Sequence, residues 1–172
     1  MRERSAHVDL FSLGGTLRSF SAQGIELKTR LVEHPHLVRV EETEGSGHPL
    51  VGRGAFRMVR LGSVDRKPVL LEELWLDADV FPGIDALSLA GRSLSEAVAS
   101  HYRMEPISAD QSFRVARLGA EDVALLAVTA STAVLHVERT LHFPTAASAV
   151  VARMKCRTDD FTFSQRIGGD HG

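Results

Sequence analysis

The sequence predicts an α+β domain in which an antiparallel β-sheet of about six strands carries helices packed on one side. Three observations lead there. Long apolar and β-branched runs are joined by short turn-forming segments, helix-spaced segments fall between only some of them, and no regular strand–helix–strand alternation appears.

Asp9 to Gln23 reads as a helix, with Leu10, Leu13, Leu17 and Phe20 spaced three or four apart and Gly24 at the C-cap position, although Gly14-Gly15 interrupts it. Leu27 to Val40 reads as a strand that Pro35 confines to a sheet edge or a bulge. The following EETEGSGHPLVGRG reads as a loop. From Ala55 to Leu76 two apolar runs flank Asp65-Arg66-Lys67-Pro68, the pattern of an antiparallel hairpin.

Beyond a second loop, Ser93 or Ser95 is placed to cap a helix reaching about His101, and Ile107 to Leu118 reads as the next strand. AEDVALLAV is a short helix that opens on acidic residues, as the helix dipole favours. Ala133 to Phe143 and Ala147 to Lys155 read as two closing strands joined through Pro144-Thr145. The expected division is a tail over 1–10, one folded domain over 11–164 and a flexible C-terminal tail over 165–172.

Lys and Arg number 20 against 22 Asp and Glu, a net charge of −2, so the chain lacks the positive field that binds a phosphate backbone. A single cysteine, Cys156, excludes an internal disulfide and fits a reducing, cytoplasmic setting. No apolar run has the length of a signal peptide or a membrane span.

The eight histidines sit without ligand spacing, so no metal site is expected. No Gly-x-Ser-x-Gly elbow or Ser-His-Asp context points to a hydrolase. Gly45, Gly47, Gly52 and Gly54 precede a strand rather than linking strand to helix, the wrong setting for a dinucleotide, and no cofactor is expected.

Glu72 is the informative residue. On the strand VLLEELWL it shares a face with Leu70, Leu74 and Leu76, and a carboxylate there must be paired, hydrogen-bonded or solvated. Arg60 on the neighbouring strand is an available partner. A two-residue turn at Asp65-Arg66 would set Val59 opposite Glu72 and send Arg60 to the other face, whereas an odd loop with a bulge would bring Arg60 and Glu72 together. Both registers remain open from sequence.

The run from Phe56 to Tyr102 resembles the effector-binding UTRA domain of HutC-type GntR regulators. The matching features are Arg60 on its strand, the Asp65 to Pro68 turn, Leu71-Glu72 at a strand end, and Ser93-Leu94 opening a helix. LLAVTASTAVLHVERTLHF is similar to that family's short helix, turn and arginine-bearing strand, and CRTDDFTF to its closing segment, so the resemblance extends from about Phe11 to Phe163.

The resemblance implies a chorismate lyase-like fold, a small-molecule effector bound between sheet and helices, a homodimer, and DNA binding only through an upstream winged-helix domain expected to be absent from this chain. It carries an effector-binding role to Arg60, Glu72 and Ser93, to the Phe11-Ser12 region, and to Cys156, which stands where many members have tyrosine. Gly62 replaces a second arginine and Val150 a glutamate, departures that point to a small carboxylate-bearing ligand rather than a sugar phosphate. No catalysis is expected; the alternatives are a chorismate lyase-like enzyme and a structural dimerisation domain with a vestigial pocket.

Overall fold

A computed structural model of the chain describes residues 6–9, 13–42, 47–165 and 168. Its elements, in order, are β1 (Ala6–Val8), α1 (Thr16–Ser21), β2 (Lys28–Arg39), β3 (Gly54–Val64), β4 (Lys67–Asp77), α2 (Leu94–Tyr102), β5 (Ser108–Arg117), α3 (Ala120–Leu126), β6 (Ala133–Phe143), β7 (Ala146–Cys156) and β8 (Phe161–Phe163). Six strands form one antiparallel sheet in the order β2-β3-β4-β7-β6-β5, and β1 pairs with β8 in a separate two-stranded parallel sheet.

Most elements fall where sequence pattern places them. β2 is an edge strand whose pairing with β3 slips between Leu31 and Glu33 and again between Glu33 and His36, next to Pro35, which has no N–H to give to a ladder. Asp65 and Arg66, with φ of 49° and 67°, form a two-residue turn of the mirror-image kind that suits the twist of the flanking strands. Pro144-Thr145 closes the β6–β7 hairpin, where Phe143 lies opposite Ala146. Ser93 is the N-cap of α2 and accepts a hydrogen bond from the Glu96 N–H at 3.3 Å.

The first helix is a correction. Within the predicted span Asp9 to Gln23 only Thr16–Ser21 is helical, and residues 10–12 lie outside the described residues. Gly15, with φ +91°, holds a conformation that starts α1 late. It also permits close approach to the second helix: a Cβ there would stand 2.6 Å from Ser95 Oγ. The β1–β8 pair was not anticipated, because strands of three residues leave too little alternation to read.

The two faces of the sheet are built differently. On one, α1 and α2 cover two apolar clusters. The first centres on Met58, Leu74, Phe81, Val98 and Val150, and the second on Val8, Phe20, Leu70, Val137 and Met154. The expectation that helices lie on one side holds for these two helices. The short α3 packs its Leu126 against Val59, Leu61 and Leu71, which point from the opposite face.

Candidate ligand-binding site

The register that sequence left open is settled by a bulge. Val64 faces Lys67 and Ser63 faces Pro68, but Gly62 faces Leu70, leaving Val69 as an extra residue on β4. The even turn at Asp65-Arg66 would by itself set Arg60 opposite Leu71. With one residue added on β4, Arg60 lies directly opposite Glu72 and both side chains take the face covered by α1 and α2.

The pair is 5% and 6% exposed. Arg60 donates to Glu72 Oε2 through Nε at 3.0 Å and Nη2 at 2.5 Å, and its Nη1 donates to the Arg92 carbonyl at 3.2 Å. Thr16 Oγ1, at the start of α1, lies 3.5 Å from Glu72 Oε1. Charge-assisted bonds of this geometry are what allow an ion pair to persist away from water.

A third charged residue completes the arrangement, and the sequence reading did not assign it a role. Arg139 of β6, 6% exposed, projects from the same face and donates through Nε to Gln111 Oε1 at 2.6 Å, Gln111 being its register partner on β5. Burial pulls the Arg139 pKa down, and the nearby carboxylates of Glu72 and Asp9 oppose that. The signal that singled out Glu72 was present here too, because Arg139 alternates with Val137, Leu141 and Phe143 on one face of its strand.

Arg60, Glu72 and Arg139 line a cavity of about 40 Å³ with Thr16, the start of α2 at Ser93, Leu94 and Ser95, and apolar walls from Leu74, Leu141, Val150 and Ala152. The N-terminus of α2 brings backbone N–H groups and the positive end of a helix dipole to this cavity. Two larger grooves flank it. One of 750 Å³ shares Leu17 and Ser93 with the cavity, and one of 260 Å³ shares Ser95.

Among the residues carried over by resemblance, Arg60, Glu72 and Ser93 meet at the cavity. Phe11 and Ser12 lie outside the described residues. Cys156 is 1% exposed within the apolar cluster of Val8, Phe20 and Phe161 and is not among the cavity-lining residues; burial pushes its thiol pKa up. Val150 lines the wall. Gly62 faces Leu27, whose Cδ1 would stand 3.0 Å from a Cβ added there.

The opposite face carries a separate basin of 520 Å³, lined by five cations and five carboxylates. Most are paired with one another: Arg57 with Glu33 and Glu73, Arg153 with Glu138, and Lys155 with Asp122. A surface so balanced offers no net attraction for a charged ligand. Among the described residues no group of His, Cys, Asp and Glu is arranged to hold a metal ion, and no helix is long and apolar enough to cross a membrane.

Comparison with solved structures finds the same fold in regulator domains. The effector domain of PhnF from Mycobacterium smegmatis matches with a TM-score of 0.84 at 21% identity, covering 95% of this chain and 99% of that one. The longer PhnF structure also matches at 0.84 and 21% identity, over 98% of this chain but 74% of PhnF. A GntR-family transcriptional regulator from Bacillus cereus matches at 0.71 and 16% identity, over 83% and 99% of the two chains. A search of curated protein sequences finds no significant match. The sequence profile of the UTRA domain matches residues 22–162, which is most of the chain and contains Arg60, Glu72, Ser93 and Arg139; the chain belongs to the UTRA domain family.

Proposed function

We propose that this UTRA domain is the effector-sensing and dimerisation module of a cytoplasmic bacterial GntR regulator of the HutC subfamily. In this reading residues 11–164 form the working domain, and a small metabolite bearing a carboxylate enters the cavity. Binding changes the DNA affinity of a homodimer through a winged-helix domain that precedes this one. Arg60, Glu72 and Ser93 form the core of the effector site, the resemblance assigns Phe11, Ser12 and Cys156 to it as well, and neither metal, cofactor nor catalysis is required.

The observation that carries the reading is a small cavity with buried guanidinium groups on its walls and the N-terminus of α2 at its edge. Buried cations and helix N-termini recognise anions. Regulation further requires that the ligand bind two arrangements of the dimer with different affinity.

The test is thermal unfolding of the protein against small carboxylates and sugar phosphates. Stabilisation that grows with ligand concentration is expected for a carboxylate. Stabilisation by sugar phosphates alone would end the carboxylate reading. Release of 4-hydroxybenzoate from chorismate, lost in Glu72→Ala, would replace the sensor with an enzyme. The small volume of the cavity favours a second reading, a dimerisation domain with a vestigial pocket, in which no ligand shifts the unfolding temperature and Arg60→Ala changes neither that response nor the dimer.

A further inference from the structure

We propose that β5 is the surface through which two copies of this chain associate, the strand pairing antiparallel with itself across a two-fold axis at Ser112 and joining the two sheets edge to edge. The inference rests on the homodimer of the reading above and names the surface that forms it.

β5 stands at the end of the order β2-β3-β4-β7-β6-β5, with no strand beyond it among the described residues, and none of its ten residues, Ser108–Arg117, is buried. Its pairing with β6 nevertheless runs without a slip, from Ser108 opposite His142 to Arg117 opposite Ala133. The other edge of the sheet is guarded: β2 carries Pro35 and two register shifts, devices that spoil pairing with a further strand. β5 has neither, and a long regular edge is a template for another strand. Apolar groups also gather there. Val115 is 76% exposed, Phe113 40% and, just before the strand, Ile107 64%.

The order of residues fits a second copy. Side chains directly opposite one another in an antiparallel pair share a face, and Asp110 and Arg114 lie four apart on one face of β5. With Ser112 on the axis, Asp110 stands opposite the partner's Arg114, and Arg114 opposite the partner's Asp110, so one register gives two ion pairs. Asp110, bonded to His142 at 2.8 Å, keeps its side chain 87% exposed, and Arg114, bonded to the His136 ring at 3.2 Å, is exposed as well. On the other face the same register sets Val115 opposite the partner's Ala109 and diagonal to the partner's Ile107. Phe113 lies diagonal to the partner's Phe113, a separation that aromatic side chains span. A register centred on Arg114 would oppose like charges, and one centred on Gln111 or Phe113 sets both charges opposite neutral residues.

Sedimentation equilibrium of the purified chain measures the association, with circular dichroism as the check on folding. The wild type is expected to be a dimer. Asp110→Arg and Arg114→Asp each place like charges opposite one another at both ends of the pairing, and each should weaken the dimer at least tenfold. Mixed in equal amounts, the two variants should recover it as a heterodimer, because each supplies the charge that the other lacks. Val115→Lys should weaken the dimer too. Ser112→Cys, on the axis, should give a disulfide-linked dimer on mild oxidation and Ser108→Cys should not, the native Cys156 being 1% exposed and out of reach. A dimer indifferent to the charge variants and to Val115→Lys, or one linked no faster at Ser112 than at Ser108, overturns the assignment and leaves a homodimer formed elsewhere. Weakening by both charge variants without recovery on mixing overturns the register at Ser112. A wild type that stays monomeric overturns both the assignment and the homodimer of the reading above, whereas ligand binding is judged separately by thermal unfolding. Should a charge variant lose its fold, Val115→Lys and the two cysteine variants still decide.

Discussion

Arg157 donates its backbone N–H to the carbonyl of Val69 at 2.9 Å, clasping the one residue by which β4 exceeds its partner strand. The same residue sends Nη1 to the Pro68 carbonyl at 3.2 Å and to the Leu126 carbonyl at 3.3 Å, and its guanidinium is held by Asp159. A residue just beyond β7 therefore fastens the bulge that turns Glu72 toward Arg60, and joins it to the C-terminal end of α3.

Arg157→Met keeps much of the side-chain volume and the backbone bond to Val69 but removes the guanidinium donors, leaving the Pro68 and Leu126 carbonyls without them. It should cost about 2–3 kcal/mol in urea unfolding, with amide exchange quickened around Leu70 and Leu71. Asp159→Asn should cost about 1 kcal/mol or less, because Asp159 is half exposed and its pairing is screened by water. A loss under about 0.5 kcal/mol for Arg157→Met would show that the bulge holds without the guanidinium bonds.

For the Arg60 and Glu72 pair, the single variants Arg60→Met and Glu72→Leu each leave an uncompensated buried charge and should cost about 3–5 kcal/mol. The double variant should return to within about 1 kcal/mol of wild type, since hydrophobic replacements of similar volume remove the desolvation penalty of both ions. Chemical denaturation of all four proteins gives the coupling directly. Additive losses would mean that the two charges do not act as a pair.

Acid should weaken the fold through His48. Burial beneath its loop, with Arg153 nearby and Glu138 opposing, lowers its pKa from 6.5 to about 4. Its Nδ1 accepts the Leu50 N–H at 3.1 Å and its ring meets Trp75 edge-on at 4.9 Å, so the neutral ring is the one the structure accommodates. Between these pKa values the unfolded chain binds the proton and the folded chain does not. Stability is therefore full above pH 6.5 and declines as pH falls toward 4, by about 2–3 kcal/mol at pH 4.5. His136, whose pKa burial also lowers, adds in the same direction. Urea midpoints at pH 7 and pH 4.5 test this, and His48→Gln should flatten the dependence.

Much of the sheet was legible because its signals are local. Each long strand announces itself by alternation, Asp65-Arg66 and Pro144-Thr145 by turn chemistry, and α2 by the Ser93 cap. Glu72 stood out as a carboxylate on an apolar face. Arg139 carries the same mark, but a cation on a strand is ordinary until the opposite wall of a cavity is known. Leu10 and Leu13 keep the helical spacing across Gly14-Gly15 and so lengthen the helix that the pattern implies, whereas α1 begins only after Gly15.

Alternation, turns and caps were thus determined by the chain itself, since each depends on residues within a few positions of one another. Which face Arg60 and Glu72 share was decided only in the folded molecule. Strand faces alternate with period two, so one extra residue at Val69 reverses the outcome, and that residue is accommodated by bonds from Arg157, a partner remote in sequence and adjacent only after β7 has paired with β4.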